Sequence, residues 1–298
     1  MAHTATAPAP GNAETPHGTT RGSGVNFGRV LKSEWIKVTT VPSTVILLSC
    51  TLIVMVGLAA LAAWGISTAQ GSMAAMAEQD PQMAAQMEAQ GGMDAAALTV
   101  PSSGFIFGQL LIASLAVVLI ASEWATGMIR STMVAVPKRI PALLAKNLVI
   151  AVIAFVIGTA SAFISYFISQ PILAVEDLDF AITTDGVLLS IINTGAALAL
   201  IAVLAMSIGT LLRNTAGSIV TIIGFLFVLP ILIVTLLSNL ADWIPDAARF
   251  LPDAGATQMI APEIADDAFN QWQGALVLGG WALVLLVISL IVTKQRDV

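Results

Sequence analysis

The sequence predicts an all-α integral membrane protein with six transmembrane helices, and three observations carry that prediction. The first is composition. Of 298 residues, 57% are hydrophobic and 10% charged, and the mean hydropathy of +0.91 lies outside the range of soluble domains. The second is patterning. Six apolar runs are continuous rather than alternating, so they do not read as barrel strands, and about 20 helical residues match the ~30 Å hydrocarbon core. The third is charge distribution. With the N-terminus inside, eleven of the twelve Lys and Arg residues fall on cytoplasmic segments, while fourteen of the eighteen acidic residues fall outside. Lys and Arg resist translocation, so both termini are expected in the cytoplasm, and only Arg249 breaks the pattern.

Residues 1–25 are rich in Ala, Thr, Pro and Gly and contain no apolar run. That composition predicts a disordered cytoplasmic tail, not a cleavable signal peptide. The only histidines, His3 and His17, lie in this tail and read as solvated residues, so no metal site is expected from them. Residues 26–298 then form one transmembrane domain. It opens with Asn26–Thr40, where Phe27, Val30, Leu31, Trp35 and Val38 fall on one helical stripe and Lys32, Ser33 and Lys37 fall off it. A short basic helix with a Trp-bearing apolar face suits the headgroup boundary. A simple cytoplasmic extension of the first span is the alternative. Pro42 breaks the chain for a turn into the bilayer.

The spans follow as Thr44–Trp64, Phe105–Ala121, Ala142–Ile168, Val187–Leu212, Ala216–Leu237 and Gly274–Thr293. The outer connections, Gly65–Gly104, Ser169–Gly186 and Ser238–Gln273, are acidic, whereas Arg213–Asn214 is the whole turn between spans 4 and 5. Cys50, the single cysteine, reads as filler within span 1, and Lys146 is expected to snorkel into headgroups. Pro230 is expected to kink span 5. The outer loop after span 1 carries Met73, Met76, Met83, Met87 and Met93. Thioethers suit Cu(I), but Met, Ala, Gln and Glu are also good helix formers, which is the simpler reading.

Chemistry inside the spans is sparse. No Asp, Glu or His lies near the middle of any run, which disfavours a proton- or sodium-driven transporter. No His stands ready to activate a Ser or to join carboxylates around a metal, so catalysis by this chain is not expected. Gln109, Asn193 and Thr194 are possible substrate-path residues, with hydrogen-bonding glue as the plainer role. Gly195/Ala199 spacing permits close helix packing.

The longest inter-span segment on the cytoplasmic side is Glu123–Arg139, and any soluble drive is expected to enter there. This segment and three other stretches resemble the permease subunits of ABC type-2 exporters, with the look of actinobacterial members. The four are Leu31–Thr44; Ser122–Lys146, with Glu123, Gly127, Arg130, Pro137, Arg139 and Lys146 in the family's pattern; Ser207–Ile219; and Arg249–Ile260. Met128 departs from it, where a Thr is expected after the Gly. The resemblance implies a multi-pass protein of the bacterial plasma membrane, paired with a second permease copy or homologue and with a separate cytoplasmic ATPase. It also implies a drug, lipid or peptide as cargo. Glu123, Gly127, Arg130, Pro137 and Arg139 would form the ATPase-coupling segment. Asn26–Thr40, with Phe27, Leu31, Lys32, Trp35 and Lys37, would be the connecting helix, and Ser238–Gln273 would cap the outer mouth. ATP and Mg would sit on the partner, with no cofactor on this chain. Independently, the chain has no GxxxxGK[ST] loop to cradle a triphosphate. Membrane lipid is an expected partner and nucleic acid is not. The rival reading is a non-transporting scaffold or regulatory protein; an ion channel would need charged rings or a carbonyl filter, and neither is seen.

Overall fold

The structure, a computed structural model, describes residues 26–77, 93–129, 139–237, 240–241, 243–262 and 268–295. The N-terminal tail with His3 and His17, Met83 and Met87 of the outer loop, and Arg130 and Pro137 lie outside the described residues, as do the side chains of Met76 and Arg139. Among the described residues the chain is helical, without strands. Six helices are long and apolar enough to cross a membrane.

Helix α1 (Phe27–Thr40) starts at Asn26, whose side chain accepts from the Gly28 amide, and Val41 is the extended hinge into α2 (Pro42–Ala77). Pro42 takes the first helical position, where its missing N–H costs nothing. Helix α2 runs well past the apolar stretch that ends at Trp64. Gly65–Ala77 continues it instead of forming loop, because Ala, Gln, Ser and Met there sustain a helix without needing lipid. Short α3 (Asp94–Thr99) and a 3-10 turn, Val100–Ser102, lead into α4 (Phe105–Ala125). Helix α5 (Arg139–Leu173) likewise outlasts its expected end and closes through a 3-10 turn at Ala174–Glu176. Helix α6 (Val187–Leu212) and α7 (Thr215–Ile223) are joined by Arg213 and Asn214, the latter capping the Gly217 amide. Beyond α7 the span continues as π-helix, Gly224–Val228, one α-turn, Leu229–Leu232, and π-helix again, Ile233–Leu237. The wide turns bracket Pro230, which lacks the N–H that would close an ordinary i→i−4 bond. Short α8 (Trp243–Ala248) and α9 (Pro252–Ile260) precede α10 (Gln271–Gln295).

Helices α4 and α6 form the centre. Ile112, Ala116, Val117 and Ile120 of α4 pack with Leu198, Ile201, Ala202 and Ala205 of α6, all at zero exposure. Helix α5 packs against the other side of α6, where Gly158 meets Gly195: a Cβ on Gly158 would stand 2.8 Å from the Gly195 Cα. The close helix packing expected at Gly195 is therefore present, with Gly158 of α5 as its partner glycine. The spans of α2, α7 and α10 are mostly exposed, and Cys50 points outward, not into a core. Lys32, Lys37, Lys146, Arg213 and Lys294 lie towards one end of the bundle, called here the basic end. Asp94, Glu176, Asp185 and Asp253 lie towards the other, the acidic end.

Candidate functional site

At the basic end, four charged side chains from three helices meet. Glu34 and Lys37 come from α1, Glu123 from the last turn of α4 and Lys146 from the second turn of α5. Lys146 Nζ donates to Glu34 Oε2 at 2.7 Å and to Glu123 Oε1 at 2.6 Å. Lys37 Nζ donates to the same Glu123 oxygen at 2.7 Å and sits 3.5 Å from Glu34 Oε1. Glu34, Glu123 and Lys146 are 5%, 2% and 5% exposed. Two carboxylates and two ammonium groups leave the cluster neutral, which is what makes its burial tolerable; one charge alone there would cost several kcal/mol. Burial works against charge on Lys37, but its hydrogen bond to Glu123 and the attraction of Glu123 and Glu34 outweigh that and raise its pKa.

Helix α1 also packs on the bundle beside this cluster. Its buried stripe is Val30, Glu34 and Val38, backed by Val149 and Ile153 of α5, with Leu31 partly buried. Phe27 and Trp35 are exposed at 42% and 43%, and Lys32 is also exposed. Lys37, expected off the packed face, reaches the cluster. Lys146 does not snorkel; it is the hub of the network. Glu34 was missed because a lone acid on an apolar stripe reads locally as a solvated residue. Its nearer lysine partner, Lys146, is 112 positions away.

The coupling-segment residues are placed unequally. Glu123 faces inward. The Gly127 φ of +72° ends the helical run of α4, with the Thr126 and Gly127 amides closing it onto Ser122 and Trp124 carbonyls. The left-handed residue thus breaks the helical register four residues after Glu123. Met128 is exposed and Ile129 is buried against the core. Beside Glu123, the Trp124 ring lies under the Arg213 guanidinium, 3.9 Å from its centroid. That contact ties the α6–α7 turn to the same end of α4.

The possible path residues all lie near the acidic end, and two of them, Gln109 and Asn193, hold α9. Gln109 Nε2 donates to Asp253 Oδ1 at 3.1 Å. Asn193 Nδ2 donates to the Met259 carbonyl at 2.7 Å, and Ser190 Oγ donates to that of Ile260. Thr194 turns back to the Ser190 carbonyl within its own helix, at 2.8 Å. Gly255 of α9 lies against Gly274 of α10, where a Cβ would come within 3.0 Å of the Gly274 carbonyl oxygen. Trp281 Nε1 donates to the Phe250 carbonyl at 2.8 Å, so α10 also grips the chain ahead of α9. Among the described residues, no group of three or more His, Cys, Asp or Glu could hold a metal ion.

No protein-family model matches the chain, and no curated protein matches it.

Proposed function

We propose that this chain is the membrane-embedded permease subunit of an ATP-driven exporter of the ABC type-2 kind. Its basic end faces the cytoplasm of a bacterium, and it moves a hydrophobic or amphipathic substrate such as a drug, lipid or peptide. It works with a second permease copy or homologue and draws on ATP and Mg bound by a separate ATPase. The observation that carries this reading is the buried four-charge network. It joins α1 to the end of α4 and the start of α5, and those two helix ends bracket residues 130–138. An ATPase docked on that bracketed segment would not move it alone. Displacement passes through Glu123 and Lys146 into α1, and from α1 through Val41 into α2, so several spans tilt as a unit. In this reading Glu123 transmits force from within, while Arg130, Pro137 and Arg139 are left to make the outer contact.

The sparse polarity of the spans supports an apolar or amphipathic cargo over an ion, because no charged ring interrupts the six apolar helices. The test is purification of the tagged protein from its native membranes in mild detergent. A nucleotide-binding subunit recovered in stoichiometric amount, and lost in a chain deleted for residues 130–138, supports the exporter. Intact protein that carries no ATPase even after crosslinking favours a scaffold.

A further inference from the structure

Helix α9 covers the acidic end of the bundle and is fastened at three places. Its last carbonyls are held by Ser190 and Asn193 of α6, its middle by the Gly255–Gly274 contact with α10, and its first turn by the Asp253–Gln109 hydrogen bond to α4. Only the last fastening contains a titratable group. Gln109 is 1% exposed, and among the described residues its Oε1 has no hydrogen-bond partner. An ionised carboxylate can only accept, so it satisfies the Gln109 N–H and leaves Oε1 unmet. A protonated carboxyl donates and accepts together, and its planar group can close two hydrogen bonds with a carboxamide.

The geometry points to a proton-sensitive latch in which Asp253, when protonated, donates to Gln109 Oε1 while accepting from Nε2, clamping α9 to α4. Loss of that proton to water removes the donor, leaves Oε1 buried beside a carboxylate, and loosens α9. Leaving a buried acceptor unsatisfied is what makes the open form competitive.

Among the described residues the surroundings leave Asp253 as the titrating group. Helix α9 packs on α6, α10 and the π-turn Gly224–Val228. Helix α6 and that π-turn carry no charged residue, and the only one on α10, Lys294, is at the opposite end. Helix α4 carries only Glu123, also at the opposite end. Arg249, ahead of α9, is paired with Asp246 at 3.3 Å. Asp185 adjoins Gly186, which abuts Pro262 beyond the far end of α9. Asp242, Glu263, Asp266 and Asp267 lie outside the described residues. Burial raises the Asp253 pKa from its ordinary 3.8, only partly opposed by the Gln109 bond. A raised acid is held protonated by the closed form. Its stabilisation is therefore complete below 3.8 and lost as pH rises to the folded value.

The inference does not depend on the exporter reading. Its test is hydrogen exchange of the α9 amides in the full chain in lipid nanodiscs, corrected for intrinsic rates, between about pH 4 and about pH 8. In the wild type, α9 opening should increase by up to about tenfold per pH unit within the titration window. Asp253→Asn keeps two hydrogen bonds to Gln109 without a titrating proton, so its α9 should stay closed with a flat profile. A flat wild-type profile, or a wild-type slope in Asp253→Asn, overturns the latch. If Asp253→Asn does not fold, Gln109→Leu should lose the low-pH protection of α9, and unchanged protection there overturns it equally.

Discussion

Lys146 Nζ lies 2.7 Å from a Glu34 oxygen and 2.6 Å from a Glu123 oxygen, so one buried ammonium fastens two helices that are remote from each other in sequence. In an apolar setting such a hub is hard to remove singly and easier to remove entirely. The asymmetry follows from desolvation: an orphaned charge stays buried, whereas a cluster replaced as a whole leaves nothing to solvate.

Lys146→Met should therefore destabilise the protein by about 3–5 kcal/mol, read from reversible unfolding in mixed micelles. Changing Glu34 and Glu123 to Leu in the same chain should recover most of that loss, because Lys37, 30% exposed, can turn to water. A triple variant as unstable as the single one would argue against the network.

Lys37 supplies a pH dependence of defined sign. Its folded pKa is raised above 10.5, so its contribution is complete below 10.5 and disappears as pH climbs through the higher folded value. The thermal midpoint of the wild type should fall in that alkaline range, and Lys37→Met should lose this part of the fall.

Helix glycines should divide by what surrounds them. A Cβ at Gly195 would overlap Thr159 Oγ1 and crowd the Phe155 carbonyl, whereas Gly280 has nothing within 4 Å. Gly195→Ala should cost roughly 1–3 kcal/mol by forcing α6 off α5. Gly280→Ala should be neutral or stabilising by up to about 1 kcal/mol, the difference in helix propensity. Paired denaturation curves decide this.

Asn193→Ala removes the donor to the Met259 carbonyl. Such a loss is worth about 1 kcal/mol and should raise exchange in α9 selectively, leaving α4 and α5 amides as slow as before. Uniform acceleration across the chain would show that Asn193 does more than hold α9.

The six spans were legible because a bilayer crossing is a local property: about 20 apolar residues suffice to specify it. The helical continuation Gly65–Ala77 was not, since its residues favour helix without being apolar enough to mark it. The break at Gly127 was readable only in part; a glycine permits a left-handed residue but does not require one. The charge network was least legible of all. Glu123 and Lys146 stood out as polar residues beside spans, yet their roles are fixed by Glu34 and Lys37, which helix packing alone brings to them. Gln109 and Asn193 were recognisable as polar residues within spans for the same reason, and their carboxylate and carbonyl partners on α9 were not.

The account rests on the clamp between α1 and α5, and a double-mutant cycle of Glu34→Gln and Lys146→Met measures it most directly. Unfolding free energies of the wild type, both single variants and the pair should give a coupling of about 0.5–3 kcal/mol, as contacting residues do. Effects that add to within about 0.5 kcal/mol, as expected of independent sites, would contradict the clamp and remove the proposed route from the 130–138 segment to α1.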